Sequence, residues 1–149
     1  MPIVRLSNDE IRIGVIPGLT WKIKRMEEGR VEAWNVGESD GWQRAIEGSL
    51  AEMAFCKFTK NYWSGLIERG ADDVNGMEIR VSRYPNAKLL LHESDHDNRH
   101  YFLMIGINGT YDIKGWMLGK DGKNSKYWGD YGNTGRPAFW IPQSDLIKI

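Results

Sequence analysis

The chain has 149 residues, with 20 acidic and 20 basic side chains and a formal net charge of zero at pH 7. This length is typical of one domain with its own hydrophobic core, and the balanced charge excludes a global basic field, so nucleic acid would have to bind a local patch. A single cysteine, Cys56, excludes an internal disulfide, and no apolar run approaches a membrane span or the core of a signal peptide. We therefore expect one soluble cytoplasmic domain with no membrane partner.

The N-terminal region, residues 6–30, is predicted to hold one or two short helices. Ser7 and Glu10 have the spacing of a capping box, which starts a helix. Pro17 and the glycine after it are expected to interrupt that helix, so that a second one runs over residues 19–26. The cations of this second helix are expected to form a solvated face.

Residues 41–60 carry the strongest helical pattern. One predicted buried face consists of apolar residues at helical spacing, namely Trp42, Ile46, Leu50 and Met53. A second stripe of small residues, Ala45, Gly48 and Ser49, ends in Glu52. Small residues would let the helix lie close to a sheet and hold Glu52 near it. Glu52 then either meets a partner, since an unpaired buried charge costs on the order of several kcal/mol, or reaches solvent.

Asn75-Gly76 stands between two runs of strand-forming residues, and Asn-Gly in that setting is the strongest short hairpin signal. Both residue types tolerate the positive φ of a type I′ turn. A two-residue loop at this point would place Val74 opposite Met77 on the two strands.

The same register would place Asp73 opposite Glu78, with Arg80 on the same face of the hairpin. Directly opposed carboxylates repel each other. Either they are solvated at an exposed tip, or a cation bridges them. Both interpretations are open from the residues alone.

Further strands are predicted at residues 88–92, 101–107, 111–118 and 140–142, the last followed by a helical turn. The histidine-containing segment 92–100 has no recognised metal-ligand spacing and is expected to be a solvated turn. Residues 119–137 are rich in glycine, aromatic residues and cations. They are expected to form either an aromatic-anchored surface loop or a loop that contacts nucleic acid through Lys120, Lys123, Lys126 and Arg136.

The order of a helix with Glu52, then Asp73, then Glu78-x-Arg80 resembles the core motif of the PD-(D/E)XK nuclease superfamily. More closely, the chain is similar to small, uncharacterised phage-encoded proteins with this pattern. The segments that carry the similarity are residues 48–54 (GSLAEMA), 62–63 (YW), 71–74 (ADDV), 78–80 (EIR), 112–116 (DIKGW) and 135–143 (GRPAFWIPQ).

The resemblance implies a restriction-endonuclease-like α/β domain, a central mixed sheet flanked by helices, with residues 1–40 packed on a core formed by residues 41–149. It implies a Mg²⁺-dependent or Mn²⁺-dependent nuclease acting on DNA in the cytoplasm of a bacterial host. The ion would be held by Glu52, Asp73, Glu78 and the carbonyl of Ile79. A set of oxygen ligands without Cys or His favours Mg²⁺ or Mn²⁺.

Position 80 departs from the superfamily pattern, in which it is a lysine. Arg80 cannot act as a base, since a guanidinium keeps its proton at physiological pH, but it could neutralise charge on a phosphate. An inactive nuclease-like scaffold that binds DNA or a host protein is therefore the alternative. The sequence leaves the oligomeric state open, a homodimer included.

Overall fold

The computed structural model describes residues 2–30, 38–65, 73–131, 133 and 135–149. Three helices occur in these ranges: α1 (Asn8–Glu27), α2 (Glu38–Thr59) and the single turn α3 (Gly119–Gly122). The strands are β1 (Ile3–Arg5), β2 (Met77–Ser82), β3 (Leu89–Leu91), β4 (His100–Ile107), β5 (Thr110–Leu118), β6 (Trp128–Gly129) and β7 (Ala138–Ile141). Short 3₁₀ turns lie at Ser125–Tyr127, before β6, and at Gln143–Asp145, after β7.

A mixed four-stranded sheet forms the centre of the fold, in the order β1-β5-β4-β2. β2 runs parallel to β4, and the other two pairs are antiparallel. β4 is buried on both faces over most of its length, as expected from its continuous apolar sequence. The predicted α/β class with a central mixed sheet is confirmed.

The two faces of this sheet are covered differently. One packs against α2 through a core that includes Phe55, Ile79 and Phe102. The other packs against a second, antiparallel sheet in the order β3-β7-β6, through a core that includes Tyr101 and Leu103. The expectation of flanking helices therefore holds for only one face.

α1 is one continuous 20-residue helix, so the prediction that Pro17 would end it is wrong. Its start is as predicted, because the Ser7 side chain accepts from the Glu10 N–H and the Glu10 carboxylate accepts from the Ser7 N–H. Gly14 and Gly18 pack against α2 on either side of the proline, and a Cβ at Gly14 would come within 2.8 Å of Leu50. This packing holds both halves of α1 in line.

Ala45 and Ser49 of the small-residue stripe on α2 face α1 rather than the sheet, whereas a Cβ at Gly48 would meet nothing within 4 Å. Gly18 lies against the backbone of Ala45, and the Ser49 hydroxyl donates to the Gly14 carbonyl at 2.5 Å. Lys22, one turn after Gly18, is only 1% exposed, with its Nζ 5.9 Å from the centroid of the Trp42 ring. The expectation that this cation faces solvent is therefore wrong, because position 22 continues the face packed on α2.

A buried glutamate ties α2 to the β4–β5 hairpin. Glu47 accepts from the Asn108 N–H at 3.0 Å and from the Tyr111 hydroxyl. Burial and this carboxylate raise the pKa of Tyr111 above its usual value. None of the helices in the described ranges is long and apolar enough to cross a membrane.

Candidate carboxylate site

The Asn75-Gly76 turn is formed as predicted. The two residues have φ values of 46° and 79°, and Val74 and Met77 exchange both backbone hydrogen bonds at 3.0 and 2.8 Å. These positive values match a type I′ turn. Among the described residues this is the one backbone pair across the turn, and β2 then runs parallel to β4.

Val74 pairs with Met77 as predicted, but Asp73 does not pair with Glu78, which lies opposite Tyr101 of β4. The Asp73 carboxylate turns inward, and Oδ2 accepts from the Ile79 N–H at 2.6 Å. Ile79 itself packs its side chain into the core beneath α2. The hydrogen bond fixes Asp73 at the start of β2, whereas residues 71 and 72, also in the predicted motif, lie outside the described residues.

Glu52 reaches Asp73 from α2, and the two carboxyl groups are hydrogen-bonded. Burial first, and then the Asp73 charge, raises the pKa of Glu52 from 4.5 to about 9. Glu52 therefore holds a proton at neutral pH, which removes the repulsion that two ionised carboxylates would feel. Trp63 approaches the same carboxyl and partly offsets the shift, although its indole nitrogen has no partner with full hydrogen-bond geometry among the described residues.

Glu78, the second residue of β2, is held by an arginine. Its Oε1 accepts from Arg99 Nη1 at 2.5 Å. Burial, followed by the Asp73 charge, raises the pKa of Glu78 from 4.5 to about 7, and Arg80 and Arg99 limit the rise. Glu78 also raises the pKa of Glu52, but less than Asp73 does, so Asp73 is the acid that acts on both of the others.

Arg80 is held mainly by groups outside the carboxylate cluster. Its Nη2 donates to Asp95 Oδ1 at 2.9 Å, whereas its Nη1 lies 3.8 Å from Glu78. Its guanidinium also lies 5.1 Å from the centroid of the Tyr101 ring and bonds the Leu90 carbonyl at 3.4 Å. Asp95 in turn accepts from the His92 N–H, so the predicted histidine turn anchors Arg80.

The three carboxyl groups suit a hard divalent cation chemically, because they supply oxygen ligands only. Their present arrangement is not that of a bound ion: among the described residues, no three Asp, Glu, His or Cys side chains are grouped as metal ligands. Glu52 keeps a proton, and Glu78 contacts Arg99. Binding an ion therefore requires Glu52 to lose its proton and Glu78 to exchange one cation for another.

Cys56 lies near the acidic pair but is not activated. It is buried, and burial, followed by the charges of Glu52 and Asp73, raises the pKa of its thiol to about 11. A nucleophilic cysteine needs a lowered pKa. Cys56 is therefore a small core residue.

The cations of the loop at residues 119–137 have separate roles. Lys123 bonds the Asp95 carbonyl and the Asp97 carboxylate, so it anchors the turn rather than facing a ligand. Lys120, Lys126 and Arg136 are exposed, and Lys126 lies over the ring of Tyr127. The start of the loop is close to the site, since the Gly119 N–H donates to the Arg99 carbonyl at 2.9 Å.

A cleft of about 500 Å³ lies where α2 faces the last residues of β2 and β4. Arg44 and Arg83, both exposed, line it. Its apolar floor includes Ile79 and Val81. The cleft therefore begins one residue beyond Glu78 and follows β2 away from the carboxylates.

Arg99 and Asp95 are the site residues that the sequence analysis missed. Arg99 directly precedes His100, which lies opposite Met77 in the parallel β2–β4 register. No local pattern predicts that two strands so far apart in the chain are parallel neighbours. The histidine-containing segment 92–100 did hold one signal for the partner of Arg80, because its carboxylates include Asp95, which pairs with Arg80.

Comparisons with protein-family models, with curated proteins and with solved structures each gave no match to this chain.

Proposed function

We propose that this protein is a metal-dependent nuclease that hydrolyses phosphodiester bonds in DNA, with the restriction-endonuclease-like core that its motif order resembles. One observation carries the proposal: Asp73 is fixed by the Ile79 N–H, and its charge raises the pKa of both Glu52 and Glu78. Crowding three acids at one partly buried point costs stability in the metal-free protein. A divalent cation offsets that cost.

The proposed ligands are Glu52, Asp73, Glu78 and the carbonyl of Ile79. Bound Mg²⁺ or Mn²⁺ would supply a water of lowered pKa and neutralise charge on the phosphodiester. Glu52 releases its proton as the site fills, so binding strengthens with pH. Asp73 stays in place through its hydrogen bond to the Ile79 N–H.

Arg99 is the cation best placed to meet the phosphate. It already contacts Glu78 at 2.5 Å, so it would be released toward the substrate when Glu78 turns to a metal ion. Arg80 stays bound to Asp95 and stacked near Tyr101. We therefore assign charge stabilisation to Arg99 and a positioning role to Arg80, in place of the catalytic role first expected for Arg80.

The cleft beside β2 is the proposed path of the DNA strand. A chain of zero net charge needs a local cationic surface. Arg44 and Arg83 would provide one in this cleft, whose lining also includes Asp40 and Glu47. Lys120, Lys126 and Arg136 provide a second candidate surface. The two differ in position and can be tested separately.

Thermal unfolding with increasing Mn²⁺ or Mg²⁺, combined with cleavage assays on duplex and single-stranded DNA, tests the proposal. We expect the ion to raise the melting temperature of the parent and to support cleavage, because an ion that binds only the folded state stabilises it. Asp73→Asn should lose both responses. Asp97→Asn is the matched control, because it removes an exposed carboxylate paired with Lys123.

A second candidate is an inactive nuclease-like scaffold that binds DNA or a host protein. It is favoured by the fact that the charges at the site are balanced without an ion: Glu52 bonds Asp73, Glu78 pairs with Arg99, and Arg80 pairs with Asp95. A parent protein that binds DNA in EDTA, shows no melting response to either metal and cuts nothing would establish this candidate instead.

A further inference from the structure

A second, smaller cavity lies between α1 and the first turns of α2. Its volume is about 180 Å³, which is below the roughly 300 Å³ at which pockets for drug-sized ligands begin. Three cations line it, namely Lys22 and Arg25 of α1 and Arg44 of α2, and its described lining contains no acidic residue. We call it the cationic cavity. Its size and charge suit one small anion.

The contact between the two helices brings these cations together. Lys22 and Arg25 are three residues apart on α1 and therefore neighbours on the helix surface. One turn earlier, Gly18 packs so closely on α2 that a Cβ there would come within 2.5 Å of the Ala45 carbonyl oxygen. Arg44 directly precedes Ala45. The cavity is thus set by a close helix–helix contact and does not depend on the chance positions of surface side chains.

The cations of the cavity differ in their access to water. Lys22 is only 1% exposed, and its Nζ lies 5.9 Å from the centroid of the Trp42 ring. Arg25 is partly buried, and Arg44 is exposed. A charge with little water around it attracts an anion more strongly than the same charge on the surface. The cavity therefore combines a recessed cation with one that solvent reaches.

The types of cation favour a phosphate group. A guanidinium presents its N–H donors in a planar fork that matches the oxygens of a phosphate or a carboxylate. A carboxylate or a phosphodiester carries one negative charge, whereas a phosphate monoester carries about −1.5 to −2 at pH 7. Two arginines and a lysine therefore match a phosphate monoester better than either of the singly charged groups.

The cationic cavity is separate from the carboxylate site but adjoins the cleft beside β2. Arg44 precedes Glu52 by eight residues on α2, which is about 12 Å along the helix axis, so a phosphate in the cavity is not the one that the carboxylates would cleave. Arg44 lines both the cavity and the cleft. The acidic residues of the cleft, Asp40 and Glu47, are not among the described lining of the cavity.

We propose that the cationic cavity binds a phosphate monoester, held by Lys22, Arg25 and Arg44. Two sources share this chemistry: a small phosphate compound, and the terminal phosphate of a DNA strand that lies in the adjoining cleft. The second source rests on the proposed function, because hydrolysis of a phosphodiester leaves a phosphate monoester on one product. The site itself does not, so it can exist in a protein that cuts nothing.

Isothermal titration calorimetry of the full chain with sodium phosphate, in EDTA and at constant ionic strength, tests the site. We expect the parent to bind phosphate and to bind dimethyl phosphate, a singly charged diester, roughly tenfold more weakly or less well still. Arg25→Gln should weaken phosphate binding roughly tenfold or more, because it removes a charged hydrogen bond. Arg12→Gln is the matched control and should change nothing, since Arg12 is an exposed arginine of α1 that pairs with Asp9.

Melting in phosphate-free buffer checks that each variant is folded, and Arg44→Gln replaces Arg25→Gln if the latter is not. A parent that shows no phosphate binding would overturn the proposal. Equal binding of phosphate and dimethyl phosphate would do the same, as would equal losses in Arg25→Gln and Arg12→Gln.

Fluorescence anisotropy in EDTA, with single-stranded oligonucleotides that carry or lack a terminal phosphate, distinguishes the two sources. Tighter binding of the phosphorylated oligonucleotide by the parent but not by Arg25→Gln would assign the cavity to a DNA end. Equal binding of both oligonucleotides by a parent that binds free phosphate would assign it to a small phosphate compound. Both measurements are made without cleavage, so a failure of the nuclease proposal leaves the site standing, and the reverse also holds.

Discussion

Arg99 Nη1 donates to Glu78 Oε1 across 2.5 Å, and the two side chains are 20% and 12% exposed. Arg99 ends the turn before β4, whereas Glu78 is the second residue of β2, so the contact depends on the parallel pairing of these strands. An arginine thus contacts a glutamate that the motif order assigns to a metal ion. The competition between guanidinium and metal for one carboxylate is the basis of the first prediction.

Arg99→Gln should lower the stability of the metal-free protein by about 1–3 kcal/mol, because the Glu78 carboxylate loses a charged hydrogen bond. The rise in melting temperature on adding Mn²⁺ should become larger than in the parent, since the competing cation is gone, while cleavage should become slower. Thermal unfolding with and without Mn²⁺ measures the first two effects. Arg83→Gln, at an exposed position, is the control; an unchanged Mn²⁺ response in Arg99→Gln would contradict the assigned competition.

Glu52→Gln should stabilise the metal-free protein at pH 8 and have little effect at pH 5. The pKa of Glu52 is raised from 4.5 to about 9, so the folded state keeps a proton that the unfolded state loses. The contribution of the Glu52 carboxyl group to the free energy of unfolding is therefore present in full below about pH 4.5 and is lost as pH rises toward about 9. Glutamine does not ionise, so the variant lacks this dependence of stability on pH.

Urea unfolding in EDTA at several pH values measures that effect as the difference in the free energy of unfolding between the parent and Glu52→Gln. Glu27→Gln, at an exposed position of α1, serves as the control. A difference that does not grow from pH 5 to pH 8 would show that the Glu52 carboxyl is not protonated in the folded state.

Arg80→Lys should not create a better nuclease, although lysine is the residue typical of the motif. Arg80 bonds Asp95 and lies near the Tyr101 ring, and lysine cannot reproduce the planar, stacked contact. We expect a loss of about 1 kcal/mol in stability and no gain in cleavage rate. Faster cleavage by Arg80→Lys than by the parent, measured at equal metal concentration, would show that residue 80 has a catalytic role.

The double replacement Arg44→Ala and Arg83→Ala should reduce the salt dependence of duplex binding if the cleft is the DNA path. Each lost phosphate contact lowers the slope of log K against log salt by about 0.9. Fluorescence anisotropy in EDTA measures the slope without cleavage. The matched double variant Lys120→Ala and Lys126→Ala changes the loop at residues 119–137. A larger reduction of the slope in that variant would indicate that DNA binds this loop instead of the cleft.

Several features followed from local sequence. The Ser7 and Glu10 capping box, the Asn75-Gly76 turn and the positions of β4 and β5 were predicted and are present. Each depends on residues that are neighbours in the chain, because a cap, a turn or an alternating pattern acts over a few residues. The resemblance in motif order also predicted that Glu52, Asp73 and Glu78 hold one metal ion, and this stays a prediction.

Only the tertiary structure decided which groups those acids meet. The parallel β2–β4 register brings Arg99 to Glu78, and the inward turn of Asp73 brings it to Glu52. Packing on α2 keeps α1 straight through Pro17 and buries Lys22, whereas Ile13, Ile16 and Ile23 of α1 lie outside. These contacts join residues far apart in the chain, and their geometry is set by the packing of whole helices and strands, which no local pattern of residue types encodes.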